Sequence, residues 1–114
     1  MHLRIKKSTV TNLLKFMHPS GIICKFGIHL KVRFMQEKLK AFERLLNIMD
    51  DLREKCPWDK KQTIESLRHL TIEETYELAD AILEKDMMNI KKELGDVLLH
   101  IVFYARIASE TDSF

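Results

Sequence analysis

Two pairs of acidic residues at helical spacing constrain the fold of this chain most strongly, because both pairs fall among apolar residues. Glu74 and Glu77 form one pair, and Glu93 and Asp96 form the other. On a helix of 3.6 residues per turn, Glu74 shares its face with four apolar residues, Leu67, Leu70, Leu78 and Ala81. An ionised carboxylate that is buried without a partner costs several kcal/mol. The pattern therefore predicts a bound cation, and a cluster of oxygen ligands favours magnesium or manganese.

The spacing of the apolar residues after Met35 predicts an all-α fold. Steps of three and four residues indicate helices over residues 36–54, 63–85 and 87–109. Pro57 disfavours helix in the residue before it, so residues 56–59 are predicted to form a loop. Asp86 is suited to cap the third helix. That helix is apolar nearly all round between residues 97 and 105, which predicts a position at the centre of a bundle.

The second predicted helix has apolar residues on two faces. The face opposite the carboxylates carries Ile72, Tyr76, Ala79 and Leu83. Two apolar faces require two packing partners, and a domain of this size buries only a modest core by itself. We therefore expect a helical bundle that is completed by dimerisation, as a homodimer or a higher homo-oligomer.

Composition narrows the setting of the protein. The chain has 114 residues, of which 46% are hydrophobic and 32% are charged, as is typical of a soluble globular domain. No apolar run approaches the roughly 18 residues that cross a membrane. Cys24 and Cys56 have neither the number nor the spacing of a disulfide framework or a zinc site. A reducing, cytoplasmic location is the simplest interpretation.

The charge is divided unevenly along the chain. Residues 1–34 carry seven basic residues and no acidic one, whereas residues 35–114 carry twelve basic and seventeen acidic residues. A basic segment can be a targeting presequence or an arm that binds nucleic acid. Its basic residues are scattered, however, so nucleic acid is not the favoured partner. We predict that residues 1–34 are an extension without an essential role in the fold, or a start site assigned too early, and that residues 35–114 are the helical domain.

Three motifs in this order and spacing resemble the MazG family of nucleoside triphosphate pyrophosphohydrolases. The first is LREKCPWD at residues 52–59, followed by Gln62-Thr63 and Ser66-Leu67. The second is EETYELADAI at residues 73–82, which resembles the family's EExxE, and the third is ELGDVLL at residues 93–99, which resembles its ExxD. The resemblance extends from about residue 42 to residue 108. It implies an all-α fold that dimerises or assembles further.

The resemblance also implies a reaction, namely the magnesium-dependent hydrolysis of nucleoside triphosphates to a nucleoside monophosphate and pyrophosphate. Carried over by position, the metal ligands would be Glu74, Glu77, Glu93 and Asp96, with manganese as a second possible ion. Glu73, next to the first ligand, would orient or activate the attacking water, and Glu74 would share in catalysis. Bound cations suit such chemistry because they neutralise phosphate charge and lower the pKa of a coordinated water. Such a displacement needs no protein nucleophile.

Other residues are candidates for binding the substrate. Trp58 could stack on a nucleobase, Lys60 and Arg68 could contact phosphate, and Gln62 could hydrogen-bond a base or a ribose. The alternatives are that Trp58 fills the junction between the first two helices and that the basic residues are simply solvated. His100 follows Asp96 by one turn, so it is either a ligand, a partner of a ligand, or a buried histidine satisfied by a neighbour.

Two alternative functions are considered, because the chain ends earlier than the family it resembles and because other helical bundles also bind metals through carboxylates. Family members continue into further helical sequence beyond the position of residue 114, so the resemblance implies a truncated member. A non-catalytic helical module that binds nucleotide or metal, or mediates oligomerisation, is therefore the main alternative. A di-iron carboxylate bundle uses Glu-x-x-His on two helices, and this sequence has no such pair. The sequence leaves the base preference open.

Overall fold

The computed structural model describes the backbone of residues 27–114 and the side chains of residues 31–114. Four helices lie in this part of the chain, α1 (Gly27–Lys55), α2 (Pro57–Lys60), α3 (Ile64–Leu83) and α4 (Met87–Ser109). No strand lies between residues 27 and 114. The prediction of an all-α fold is therefore confirmed.

Two helix boundaries differ from those predicted. Helix α1 begins at Gly27 rather than at residue 36. Residues 27–34 of the predicted extension thus continue α1, and residues 1–26 lie outside the described residues. The loop predicted at residues 56–59 is wrong, because Pro57 opens the short helix α2. Proline suits the first turn of a helix, where its missing N–H is not needed, while Cys56 before it is extended with φ −92° and ψ 117°.

Capping side chains define where α3 and α4 begin. Thr63 and Ser66 form a reciprocal capping box at the start of α3. Asp86 accepts hydrogen bonds from the backbone N–H groups of Met88 (3.0 Å) and Asn89 (3.1 Å) at the start of α4. Helix α4 thus has the predicted bounds, whereas α3 ends at Leu83, two residues early. The short turn between them makes α3 and α4 antiparallel neighbours.

Helix α4 packs against both other long helices. Its buried side chains meet those of α1 and α3 in one core cluster, formed by Leu45, Met49, Leu67, Leu99, Val102 and Phe103. The prediction that α4 is buried on all sides is wrong for the single chain, since Leu94 and Ile101 are 42% and 59% exposed. The apolar face opposite the carboxylates of α3 is exposed as well, with Tyr76 at 68% and Leu83 at 79%.

One buried arginine joins the ends of three helices. Arg53, near the end of α1 and 8% exposed, donates from Nε and Nη2 to the two carboxylate oxygens of Glu110 at 2.8 and 2.5 Å. Its Nη1 donates to the backbone carbonyls of Asp59 (2.5 Å) and Gln62 (3.1 Å). The guanidinium carbon also lies 5.8 Å from the centroid of the Phe103 ring. Arg53 therefore holds the segment between α2 and α3 against the C-terminal end of α4.

None of the helices between residues 27 and 114 has the length and hydropathy needed to cross a bilayer.

Candidate metal centre

The interface between α3 and α4 brings the two predicted acidic pairs together. One carboxylate oxygen from each of Glu74, Glu77 and Glu93 lies within 4.8 Å of the others. Asp96, one turn after Glu93 on α4, adds a fourth negative charge that acts on Glu74. These four carboxylates are called the carboxylate cluster below. The i, i+3 spacing on two antiparallel neighbours suffices to build it.

The cluster has a buried end and an open end. Glu93 is fully buried at 0% exposure, whereas the side chain of Glu77 is 46% exposed and that of Asp96 is 25% exposed. Glu74 lies between these extremes. The cluster can therefore receive a solvated ligand from the side of Glu77.

Crowding of the carboxylates changes the acidity of Glu74. Burial disfavours its charged form, and the charges of Asp96 and Glu77 together with the hydrogen bond and charge of Glu93 act in the same direction. Together they raise the pKa of Glu74 from 4.5 to about 7. In the metal-free protein, Glu74 therefore holds a proton for part of the time near neutral pH.

Lys92 supplies a positive charge inside the cluster. Its ammonium group donates a short hydrogen bond to Oε1 of Glu93 and lies 3.6 Å from Glu77 Oε2 and 3.8 Å from Asp96 Oδ2. Burial works against the charged ammonium, but the hydrogen bond to Glu93 and the three surrounding carboxylates leave the pKa of Lys92 above its usual value. Lys92 was not among the site residues predicted from the sequence. Its position four residues before Asp96 was the available signal.

A divalent cation fits the donor set of this cluster. Oε2 of Glu93 is buried and has no hydrogen-bond partner among the described residues. A buried acceptor left unsatisfied is costly, and a hard cation bound to oxygen ligands would satisfy it. The oxygens come from residues whose backbones are fixed by two packed helices, which favours a defined geometry.

The carboxylate cluster lies in a part of the chain that is similar to known proteins. A family model described as the MazG nucleotide pyrophosphohydrolase domain matches residues 62–114, which include the whole carboxylate cluster. The nucleoside triphosphate pyrophosphohydrolase/pyrophosphatase MazG of Thermotoga maritima is 54% identical over 82 residues, 70% of this chain and 32% of that protein. This chain carries a MazG-family domain.

A second relative is similar over almost the same length of the chain. The nucleoside triphosphate pyrophosphohydrolase of Escherichia coli K12 is 46% identical over 79 residues, 67% of this chain and 30% of that protein. The chain thus spans about a third of the length of these two MazG relatives. No solved structure matches the chain.

The remaining predicted site residues lie around or away from the carboxylate cluster of the MazG domain. Glu73 is exposed and directly precedes Glu74, but it is not one of the three carboxylates that meet within 4.8 Å. Arg68 and Lys60 are exposed, and Trp58 is half-buried. Ten residues separate the start of α3 from Glu74, which is about 15 Å of helix. The segment that carries Trp58 and Lys60 is therefore set apart from the cluster within the chain.

Gln62 has a local role in the structure. Its amide nitrogen donates to the carbonyl of Trp58 at 3.1 Å, and its amide oxygen accepts from the hydroxyl of Ser66 at 2.7 Å. These bonds link α2 to the first turn of α3. The hydrogen-bonding groups predicted to meet a base or a ribose are thus engaged within the chain.

His100 is buried beside the cluster and is satisfied by a neighbour. Its Nδ1 lies 3.0 Å from the hydroxyl of Thr71, which in turn is 2.6 Å from the hydroxyl of Tyr104. Burial lowers the pKa of His100, so the imidazole is neutral at physiological pH. Of the alternatives considered from the sequence, the structure favours the satisfied buried histidine. Thr71 and Tyr104 were not predicted as its partners.

Proposed function

We propose that this chain is a magnesium-dependent hydrolase that converts nucleoside triphosphates to nucleoside monophosphates and pyrophosphate. The observation that carries the proposal is the carboxylate cluster, with its orphaned Glu93 oxygen, inside a MazG-family domain. The substrate class is inferred from the relatives in Thermotoga maritima and Escherichia coli, both named nucleoside triphosphate pyrophosphohydrolases.

Different acidic residues would bind the metal and activate the water. Glu74, Glu77, Glu93 and Asp96 would hold magnesium, or manganese in its place. When bound, the ion would neutralise triphosphate charge and lower the pKa of a coordinated water. The exposed Glu73, which directly precedes Glu74, would orient this water and accept its proton. Water would attack the α-phosphorus in line, the bond from that phosphorus to the oxygen shared with the β-phosphate would break, and pyrophosphate would leave.

The substrate would extend from the cluster over exposed basic residues. Arg68 lies six residues before Glu74 on α3, about 9 Å along the helix axis. We assign Arg68 and Lys60 to the phosphates and Trp58 to stacking on the base. Gln62 would act mainly by fixing the segment that carries Trp58, since its amide is already bonded there. We place the protein in the cytoplasm, where its proposed substrates occur.

We further propose that a second copy of the chain covers the exposed apolar surface of α3 and α4. This surface includes Ile72 at 42%, Tyr76 at 68%, Leu83 at 79% and Ile101 at 59% exposure. So much apolar surface is unusual for a monomer of 114 residues. Sedimentation velocity at micromolar concentration should show a dimer or a larger homo-oligomer, and Tyr76→Glu should weaken it. A monomer at all concentrations would contradict this proposal.

The activity is tested by measuring pyrophosphate release from a panel of nucleoside triphosphates in magnesium. The parent chain should release pyrophosphate, and Glu74→Gln should lose this activity because a metal ligand and a catalytic carboxylate are removed together. EDTA should abolish release by the parent. The order of activity across the panel would give the base preference.

An inactive parent would separate the main proposal from its alternative. If the parent released no pyrophosphate but magnesium still raised its melting temperature, and Glu74→Gln removed that rise, the chain would be a non-catalytic module that binds metal. If magnesium had no effect on either protein, metal binding itself would be wrong.

A further inference from the structure

Lys92 occupies the position in the carboxylate cluster where a cation is needed. Its side chain is one-third exposed, and its ammonium touches the carboxylates of Glu93, Glu77 and Asp96. Two of these partners lie on its own helix, and Glu77 lies across the interface on α3. The single ammonium thus bridges both acidic pairs.

The metal-free cluster depends on this ammonium for its stability. Four carboxylates in one partly buried site repel one another, and each loses hydration that water would otherwise provide. Three of these carboxylates, those of Glu77, Glu93 and Asp96, surround the ammonium of Lys92. Among residues 31–114, no other Lys or Arg forms an ion pair with Glu74, Glu77 or Glu93.

A divalent cation that binds Glu77, Glu93 and Asp96 would compete with the ammonium of Lys92 for the oxygens of these carboxylates. Like charges at a separation of about 4 Å repel strongly in a partly dehydrated site. Lysine has a long, flexible stem, and the side chain of Lys92 already reaches solvent, so its ammonium has a route out of the cluster.

We propose that Lys92 is a tethered counter-ion, which holds the metal-free cluster together and which an incoming divalent cation must displace. The affinity for metal is then set by a competition within the chain, and it is weaker than the carboxylates alone would give. This competition requires one part of the proposed function, namely that the cluster binds a divalent ion. The contribution of Lys92 to the metal-free fold is independent of it.

The test compares Lys92→Met with the parent at one fixed pH. Lys92→Met should lower the melting temperature in EDTA by about 4 to 8 °C, a shift typical for loss of one good interaction in a domain of this size. Titration with manganese, followed by calorimetry, should show binding at least about ten-fold tighter than in the parent, because no ammonium has to leave.

Two further variants keep the test specific. Lys92→Arg retains the charge, so it should keep the metal-free melting temperature near that of the parent and should not tighten manganese binding. Lys91→Met changes the neighbouring lysine, which forms no ion pair with the cluster among the described residues, and it should alter neither measurement. If Lys92→Met folds only with manganese present, the manganese dependence of folding replaces the melting temperature and supports the proposal.

The outcomes distinguish this proposal from the proposed function. An unchanged metal-free melting temperature in Lys92→Met, or unchanged or weaker manganese binding, would overturn the role of Lys92 even if the parent bound metal and released pyrophosphate. Failure of the parent and of Lys92→Met alike to bind manganese or magnesium would overturn both proposals.

Discussion

Glu93→Gln is expected to abolish pyrophosphate release and, at the same time, to make the metal-free protein more stable. Glu93 is the fully buried member of the carboxylate cluster, and one of its oxygens has no partner among the described residues. Loss of a partner one step removed from a metal typically costs about 10- to 100-fold in affinity or activity, so loss of a ligand should reduce turnover by at least about 100-fold. Pyrophosphate release under saturating magnesium measures this.

The gain in stability has a separate cause. Glutamine has the shape of glutamate without its charge, so the repulsion of Glu74 falls and the amide can donate a hydrogen bond to that carboxylate. Lys92 is not stranded, because Glu77 and Asp96 remain within 3.8 Å of its ammonium. We expect the free energy of unfolding in EDTA to rise by about 1 kcal/mol. Glu43→Gln on the exposed part of α1 is the matched control and should change neither stability nor turnover.

The gain in stability of Glu93→Gln over the parent should depend on pH. The pKa of Glu74 is about 7 in the folded metal-free protein against 4.5 ordinarily, so the folded state holds this proton more tightly than the unfolded state. The contribution of Glu74 to stability therefore falls as pH rises from about 4.5 to about 7. Glu93→Gln relieves part of this penalty, and its advantage over the parent in urea unfolding should be larger at pH 8 than at pH 5. An equal advantage at both pH values, or a loss of stability, would contradict this account.

The acidic pairs could be predicted from the sequence because local rules determine their geometry. The i, i+3 spacing places two carboxylates on one side of a helix wherever that helix begins. The short turn between Leu83 and Met87, which ends at the Asp86 cap, then makes the two helices antiparallel neighbours. Lys92 escaped prediction because a lysine side chain can bend toward several neighbours, and its choice depends on the carboxylate that α3 brings across the interface.

The start of α1 was missed for the opposite reason. Residues 31–36 of this helix are all exposed, including Phe34 at 49% and Met35 at 52%. A helical segment without a buried face has no need of the periodic apolar pattern on which sequence-based prediction relies. The burial of α4 was overestimated because a pattern shows which faces are apolar, not which of them this chain itself covers.

Arg53 was visible in the sequence only as part of a motif, because its carboxylate partner lies 57 residues away. The structure shows that its guanidinium is shared between the two oxygens of Glu110 and two backbone carbonyls of the segment after α2. Such a fork requires arginine geometry, which a lysine cannot reproduce.

Arg53→Met should therefore destabilise the protein by about 2 to 4 kcal/mol, as loss of one member of a buried hydrogen-bonded pair usually does. The carbonyls of Asp59 and Gln62 lose the hydrogen bonds from Arg53, although the carbonyl of Asp59 still accepts from the backbone N–H of Gln62 at 3.1 Å. Glu110 keeps a contact of 3.2 Å with Arg106. The stem of methionine preserves most packing against Phe103, so the change reports mainly on the polar contacts. Urea unfolding in EDTA gives the free energy.

Arg106→Met is the matched control, since it also removes an arginine that pairs with Glu110. Arg106 is more exposed than Arg53, and its 2.5 Å contact with Asp50 lies at the surface, where an ion pair contributes at most about 1 kcal/mol. Arg53→Lys should lower the free energy of unfolding by an amount between those of Arg53→Met and Arg106→Met, because lysine keeps the charge but cannot form the forked hydrogen bonds. If Arg53→Met cost no more than Arg106→Met, the junction of α1, α2 and α4 would not depend on Arg53.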